Sequence, residues 1–302
     1  MIIGIDIGGT NIKGIILGNQ KVIAKVKVST KSKTNQKIIL DQIFKCIEKL
    51  IKKANHVGHT ISHIKGIGVG VAGPVDFKNQ KILNPPNVIA LKNLELGKLI
   101  EKKFGIKTII ENDGHLMTLA ETILGAGKNK NNVVGITLGT GVGGGLVIDK
   151  KIIHGENGTA GEIGHMTINE HGRKCNCGSR GCLETYLSEL GIRKTSYEFF
   201  HKRIKSYDLH QIARKGNSEA IEVWDEIGKS LGVGLANIID VFNPEIIVVG
   251  GGIARGAGEL LINPAKKEMR KNVLSESAKK TPVILAKLNE YAGAIGAGLL
   301  FN

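Results

Sequence analysis

Ile2-Ile3-Gly4-Ile5-Asp6-Ile7-Gly8-Gly9-Thr10 opens the chain, and a shift of 131 positions lays it over Val133-Val134-Gly135-Ile136-Thr137-Leu138-Gly139-Thr140-Gly141. Under the same shift Gly14-Ile15-Ile16-Leu17 falls over Gly145-Leu146-Val147-Ile148. Each copy is a short apolar run, a glycine-rich turn and a second apolar run, the pattern of a strand hairpin. Two such hairpins in one chain predict two similar α/β halves. Each half would present backbone N–H groups from a tight turn, with a cleft between them.

Working outward, residues 22–28 alternate as a third strand, and apolar residues at Ile39, Ile43, Ile47, Leu50 and Ile51 give 36–53 a helical period. A strand follows at 64–71, then a break at Gly73-Pro74, a loop through Pro85-Pro86, a helix near 94–104 and a strand at 108–110. The second half continues with a helix over 218–241, a buried strand at 246–249 and a helix from about 256 to 270. Strands and helices alternate, so the fold class is α/β, with a mixed or parallel sheet covered by helices. The expected division is 1–113 plus a C-terminal helix at about 289–302, against 114–288.

The 302 residues suffice for one large or two ordinary domains, and 41% hydrophobic with 23% charged residues excludes a disordered or fibrous chain. No apolar run approaches the roughly 18 residues needed to cross a bilayer. Met1 leads straight into a strand, with no basic region or cleavage site, so secretion is not expected. Three of the four cysteines crowd into Cys175, Cys177 and Cys182, which suits a metal better than a disulfide framework and places the chain in a reducing cytoplasm.

A formal net charge of +15 raises the question of nucleic acid, for which clustered cations are the test. Only seven of the 42 basic residues are arginine, and lysines such as Lys45, Lys49, Lys52 and Lys53 spread along a helix. That spread describes a solvated face, or attraction for an anionic small molecule, rather than a nucleic-acid or membrane surface.

Familiar nucleotide signatures fail. Gly228-Lys229-Ser230 ends like a P-loop, but Val223 stands where its first glycine belongs. Gly139-x-Gly141-x-x-Gly144 has dinucleotide spacing but runs into a strand, not a helix. What the hairpins offer instead is Asp6 with Gly8, Gly9 and Thr10, a carboxylate beside open backbone donors that suits a magnesium–phosphate complex. Gly139-Thr140-Gly141 would cradle phosphate from the other side, and the glycines at 250–252 would let a base or ribose approach the backbone. The expected ATP and magnesium positions are Asp6, Gly8, Gly9, Thr10, Asn11, Lys13, Gly139, Thr140, Gly141, Gly251 and Gly252.

Glu111-Asn112-Asp113 ends a strand, where Asp113 is placed to accept a proton from a substrate hydroxyl and Asn112 to bind a neighbouring one, although Asn-Asp-Gly is also a common cap or turn. His165, Cys175, Cys177 and Cys182 supply the four ligands of a tetrahedral structural zinc site, with Gly178 and Gly181 for the bends. Glu162 and Glu184 flank that cluster. Cys46 lies on the apolar stripe of the 36–53 helix and reads as core. His154, His171 and the remaining histidines show no ligand spacing.

These residues together resemble the ROK family of sugar kinases and repressors. The resemblance rests on Asp6-Ile7-Gly8-Gly9-Thr10, Glu111-Asn112-Asp113, 138–145, Gly161-Glu162-Ile163-Gly164-His165 and Cys175-x-Cys177-Gly178-x-x-Gly181-Cys182-x-Glu184, and covers nearly the whole chain. It implies an actin-like, hexokinase-type fold of two ribonuclease-H-like domains with ATP in the cleft. Asp113 would be the catalytic base for a hexose 6-hydroxyl, and Asn87, Asn112, Asp113, Glu162, His165 and Glu184 the sugar-binding positions. ATP, Mg²⁺ and a structural Zn²⁺ would be the cofactors, and a homodimer or homotetramer the assembly.

Family members often carry a tryptophan shortly after the asparagine of the Pro-Asn loop, whereas Pro86-Asn87-Val88-Ile89-Ala90-Leu91 has none. Glucose is the first expected acceptor, with N-acetylmannosamine or N-acetylglucosamine as the alternative. A sugar-responsive DNA-binding regulator is the alternative from another class, but the hairpin begins at Ile2 and leaves no room for a preceding helix-turn-helix.

Overall fold

The computed structural model describes residues 1–56 and 58–301. In chain order its strands are β1 (Ile2–Ile7), β2 (Asn11–Gly18), β3 (Lys21–Ser29), β4 (Gly66–Val71), β5 (Val75–Asp76), β6 (Lys81–Ile82), β7 (Thr108–Asn112), β8 (Val133–Leu138), β9 (Val142–Ile148), β10 (Lys151–Ile152), β11 (Ile246–Gly250) and β12 (Val283–Leu285). The helices are α1 (Gln36–His56), α2 (Leu96–Phe104), α3 (Asp113–Leu124), α4 (Glu184–Leu187), α5 (Glu189–Phe200), α6 (Ser206–Arg214), α7 (Ser218–Phe242), α8 (Gly251–Ala257), α9 (Glu259–Asn272) and α10 (Ala292–Leu299). They form two units, one of 1–125, 151–160 and 288–302, the other of 126–150 and 161–287.

In the first unit the sheet order is β3-β2-β1-β4-β7. β1 and β2 form the antiparallel hairpin, with Asp6 opposite Lys13, while β1, β4 and β7 run parallel. Ile7, Val71 and Asn112 therefore reach the same edge in register. The edge strand β3 exposes Lys21, Lys25 and Lys27, charges that discourage pairing with another chain. Helix α1 lays Ile39, Ile43, Cys46, Ile47 and Leu50, all fully buried, on β2 and β3.

The opposite face of this sheet is covered by α10, whose composition is almost all glycine, alanine and aliphatic residues. Backbone meets backbone there. A Cβ on Gly4 of β1 would overlap the Ala294 carbonyl, and one on Gly68 of β4 would overlap that of Ala297. On its other side Gly296 lies against the Leu116 carbonyl of α3. This is why the first unit extends through α3 to Gly125 instead of ending near residue 113: α3 is packed on α10 and on the sheet.

The second unit repeats the plan. β8 and β9 form an antiparallel hairpin, β8 pairs in parallel with β11, and β11 with β12. The order β9-β8-β11-β12 matches β2-β1-β4-β7. Helices α7 and α9 pack closely because Gly228 accepts the ring of Pro264 and Gly232 the Ala265 carbonyl. A single helix over 256–270 is not what forms. The chain breaks at Gly258, with φ +58°, between α8, which starts at Gly251, and α9. β12, α5 and α6 lack a sequence pattern strong enough to mark them in advance. Among the described residues no helix is long and apolar enough to cross a membrane.

The glycine contacts beneath α10 are testable. Gly68→Ala forces a methyl into a backbone carbonyl, and the unit should lose at least about 2 kcal/mol in urea titrations, the upper range for overpacking. Ala24→Gly on the exposed edge strand is the control for general strand loosening.

Candidate active site

Parallel pairing delivers the first unit's candidates to one sheet edge, the edge where α/β proteins place ligands. Asp6 is the penultimate residue of β1, and Gly8-Gly9-Thr10 turns into β2 with the Gly8 N–H donating to Asn11 O at 3.1 Å. Thr30 Oγ1 donates to Gly8 O at 2.6 Å and holds the turn from the far side. Asn87 lies against Gly9, where an added Cβ would come within 3.3 Å of its own Cβ. Lys13 has its amine 3.7 Å from Glu290, which also takes Lys27 at 3.0 Å.

At the end of β7 the backbone passes directly into α3, and Asn112 is the N-cap. Its Oδ1 accepts the N–H groups of Gly114 (2.8 Å) and His115 (3.2 Å), and its Nδ2 donates to Gly73 O at 3.0 Å. Gly73, at φ +94°, packs against Asn84 O and Pro86, so the cap also fixes the start of the Pro-Asn loop. Asp113 occupies the first helical position, its Oδ1 accepting the Gly114 N–H at 2.9 Å. The cap reading of Asn-Asp-Gly is thus correct for Asn112, and it is this cap that aims Asp113.

Asp6 is half-buried on the same edge. Loss of water and, second, the Asp113 carboxylate raise its pKa to about 7, against a smaller downward pull from Lys13. A buried acid whose pKa is raised by a second acid beside it marks a candidate functional site, of a kind suited to a cation.

In the second unit Gly139-Thr140-Gly141 closes the β8–β9 hairpin, with Gly139 N–H on Gly141 O at 3.0 Å. Glu184 Oε2 accepts the Val142 N–H at 2.9 Å and lies where a Gly141 side chain would be. The β11–α8 turn comes equally close. Gly251, at φ +92°, has no room for a Cβ because the Leu138 carbonyl occupies it. Beside Gly252 a cavity of about 270 Å³ is lined by Ser206, Tyr207, His210, Ile253, Arg255 and Gly256. Those side chains gave no sequence signal, since they are brought together only by α6 packing on α8.

His165 ends the short turn Ile163–His165, which rests on β9 with Gly164 against the Val142 carbonyl. Its Nδ1 is 3.8 Å from Cys175 Sγ, and Cys177 Sγ is 3.6 Å from Cys182 Sγ. A tetrahedral zinc with bonds of about 2.3 Å to sulfur and 2.0–2.1 Å to nitrogen sets edges of roughly 3.5–3.8 Å. The four ligand atoms lie within 4.8 Å of one another. Cys175 N–H donates to Ser179 O and Gly178 N–H to Cys175 O, a tight turn that leaves Cys177 exposed, and hydrogen bonding from the Ser179 backbone lowers its pKa to about 7. Glu162 precedes the turn that carries His165, its backbone carbonyl accepting the His165 N–H at 3.0 Å, and is exposed.

One cluster lies outside what the sequence reading, with no ligand spacing among the other histidines, could point to. His115 and His154 both meet Glu111. They lie far apart in sequence and converge through β7, α3 and the 151–160 segment, so no spacing rule could reveal them.

Residues 2–302 match the ROK family. The chain belongs to that family. It is 35% identical to a glucokinase of Halalkalibacterium halodurans, over 99% of this chain and 94% of that one. It is 31% identical to a xylose repressor of Bacillus spizizenii over 97% of this chain but 75% of the repressor. The crystal structure of a ROK glucokinase from Streptomyces griseus, in complex with glucose and AMPPNP, superposes with a TM-score of 0.83 at 30% identity, covering 99% of this chain and 98% of that one. The fold is thus that of the ROK sugar kinases, an actin-like, hexokinase-type fold, with the mixed sheets described above.

The raised pKa of Asp6 has a sign. A carboxyl protonated in the folded state near pH 7 but ionised in the unfolded chain above about pH 4 stabilises fully below that lower value, and the contribution is lost as pH rises through about 7. Asp6→Asn should match wild type in stability near pH 4 and exceed it near pH 8, the gap opening by up to about 1.4 kcal/mol per pH unit in between. Urea midpoints measured across that range in metal-free buffer check this; parallel curves would contradict it.

Proposed function

We propose that this chain is an ATP-dependent hexose kinase acting on the 6-hydroxyl of glucose, with Asp113 as catalytic base. The observation that carries the reading is the Asn112 cap, which holds Asp113 beside Asp6 on the edge that also bears the first glycine turn. Asp113 takes the hydroxyl proton as the sugar oxygen bonds to the γ-phosphorus and the bond to the departing ADP oxygen breaks. Asp6 holds the metal side of Mg-ATP, and a bound magnesium neutralises phosphate charge. Binding would then expel the proton that Asp6 carries near neutrality. The N–H groups of the two hairpin turns, with Asn11 and Lys13 in the first and Thr140 in the second, contact phosphates. Gly251 and Gly252 admit the nucleoside, with the cavity walled by Tyr207 and Arg255 as its base pocket.

Asn87, Asn112, Glu162, His165 and Glu184 are assigned to the sugar. Asn112 spends its side chain on the cap and on Gly73, so its part is to position the loop as much as to touch the substrate. The acetylated hexosamines are the second acceptors to try. Ile89, two residues beyond Asn87 on the same loop, is 71% exposed. A structural zinc at His165, Cys175, Cys177 and Cys182 is supported by edge lengths that fit a tetrahedron. Its service is mechanical: the Thr167–Cys182 bridge and the Leu183 N–H on Met166 O join the two halves of the loop, and Glu184 follows directly.

A cytoplasmic location fits four unpaired cysteines among the described residues. Assembly into a homodimer or homotetramer is supported by Val241, Phe242 and Leu274, exposed apolar side chains grouped where Leu274 N–H meets Asp240.

Coupled ADP release across hexoses and acetylated hexosamines tests the activity; no turnover, together with a shift of duplex DNA at physiological salt, would replace it with the regulator reading. Asp113→Asn should reduce kcat roughly 10²- to 10⁴-fold with ATP binding and melting near wild type. Retention of more than about a tenth of kcat would place the base elsewhere. Glu184→Gln should instead raise the sugar KM more than it lowers kcat. Cys177→Ser should lose bound zinc and weaken sugar binding, and unchanged metal content by elemental analysis would remove the zinc assignment.

A further inference from the structure

Glu111, His115 and His154 all belong to the first unit and stand next to Asn112 and Asp113 without being assigned any part in the chemistry. Glu111 Oε1 is 2.9 Å from His115 Nδ1, and Oε2 is 2.5 Å from His154 Nε2. The carboxylate and the His115 ring are buried, at 3% and 4% side-chain exposure, whereas His154 is 29% exposed and opens the cluster to solvent.

Hydrogen-bond accounting leaves a gap. His115 Nε2 faces the Ala160 carbonyl oxygen at 2.7 Å while its Nδ1 faces the carboxylate. Both neighbours are acceptors, and a neutral imidazole has one N–H to give. The pair needs one more positive centre at Nδ1, which either a second proton or a metal cation supplies. Glu111 is also anchored by the backbone, its Oε1 accepting the Asn112 N–H at 2.8 Å.

We propose that Glu111, His115 and His154 form a second metal site in this protein, one that takes a divalent transition cation such as Zn²⁺ or Co²⁺. Their ligand atoms lie within 4.8 Å of one another. His115 has the posture of a ligand: the Ala160 carbonyl takes the Nε2 proton and leaves Nδ1 for the metal, the usual way a backbone acceptor orients a coordinating ring. His154 is held in place by Phe77, stacked at 4.5 Å between centroids. Bonds of about 2.0–2.1 Å would put the ligand atoms roughly 3.3 Å apart, which opens each of the two Glu111–histidine pairs by less than about 1 Å. Two imidazoles, one carboxylate and a solvent-facing side make an open three-ligand site. The donors include no thiolate, which separates this site from the cysteine cluster in any spectrum. The inference does not depend on the kinase reading.

The test uses tag-free full-length protein dialysed against excess Zn²⁺ near neutral pH and analysed for metal. Wild type should hold about two zinc ions per chain, and His154→Ala and His115→Gln, each with a cooperative melt, about one. Co²⁺ added to wild type whose cysteine cluster already carries zinc should give visible d–d bands with no near-ultraviolet thiolate band, so the proposal stays testable even where a variant does not fold. Uptake of a single zinc by wild type, survival of the second zinc in both histidine variants, or absence of those cobalt bands would overturn it. The cluster would then be bridged by a proton only, with His115 an imidazolium.

Discussion

At Asn112 a parallel strand becomes a helix within one residue, and the side chain of that residue makes the change possible. It satisfies two of the N–H groups that a helix start leaves open and ties the turn to the Gly73 carbonyl. The neighbours follow from it. Glu111, one residue earlier, points to the buried face of the strand and must find partners there, which His115 and His154 provide. Asp113, one residue later, cannot continue the strand's alternation and is presented at the sheet edge beside Asp6. A cap is worth only about 1 kcal/mol in stability. Its larger effect is geometric, because three adjacent side chains are sent to three different environments.

The repeat between 2–17 and 133–148 was legible because a hairpin is local: its strands, its glycine turn and its register lie within about twenty residues. From it came the two-fold plan, and the shared strand order bears that plan out. The cysteine cluster was legible for the same reason, three of its four ligands falling within eight residues. What the sequence did not display depends on approach between distant segments. Gly258 breaks a helix whose apolar period runs on without interruption, since a φ of +58° is open to glycine yet leaves no mark in the hydrophobic pattern. Tyr207 and Arg255 meet only through α6 and α8, and Glu111, which has His115 four residues further on, meets His154 only when 151–160 returns to the first unit.

The two hairpins share their backbone plan but not their chemistry. In β1 the position opposite β2's Lys13 is Asp6, whereas in β8 the matching Thr137 faces Gly143. One turn therefore carries its own carboxylate, which burial and a neighbouring acid make costly to ionise. The other carries the hydroxyls of Thr137 and Thr140, and the acid that meets it, Glu184, comes from α4 and is engaged by the Val142 N–H. Under the proposed kinase reading the first turn would take the metal side of the nucleotide and the second would donate to phosphate oxygens.

The same reasoning separates the global charge of +15 from the local charge that matters. Lys45, Lys49, Lys52 and Lys53 stand exposed on α1 with their ammonium groups at the water-facing surface, where Lys53 donates to the Lys25 carbonyl at 2.9 Å. Asp6, Glu111 and Glu184 are all at least half-buried and bound to backbone or to one another's surroundings. A diffuse cationic surface raises the local concentration of any polyanion and fades with salt, but it does not choose one. Choice rests with the few desolvated acids, because each keeps its charge cheaply only where a cation, an imidazole or a backbone N–H answers it, and such answers exist at single places in the fold.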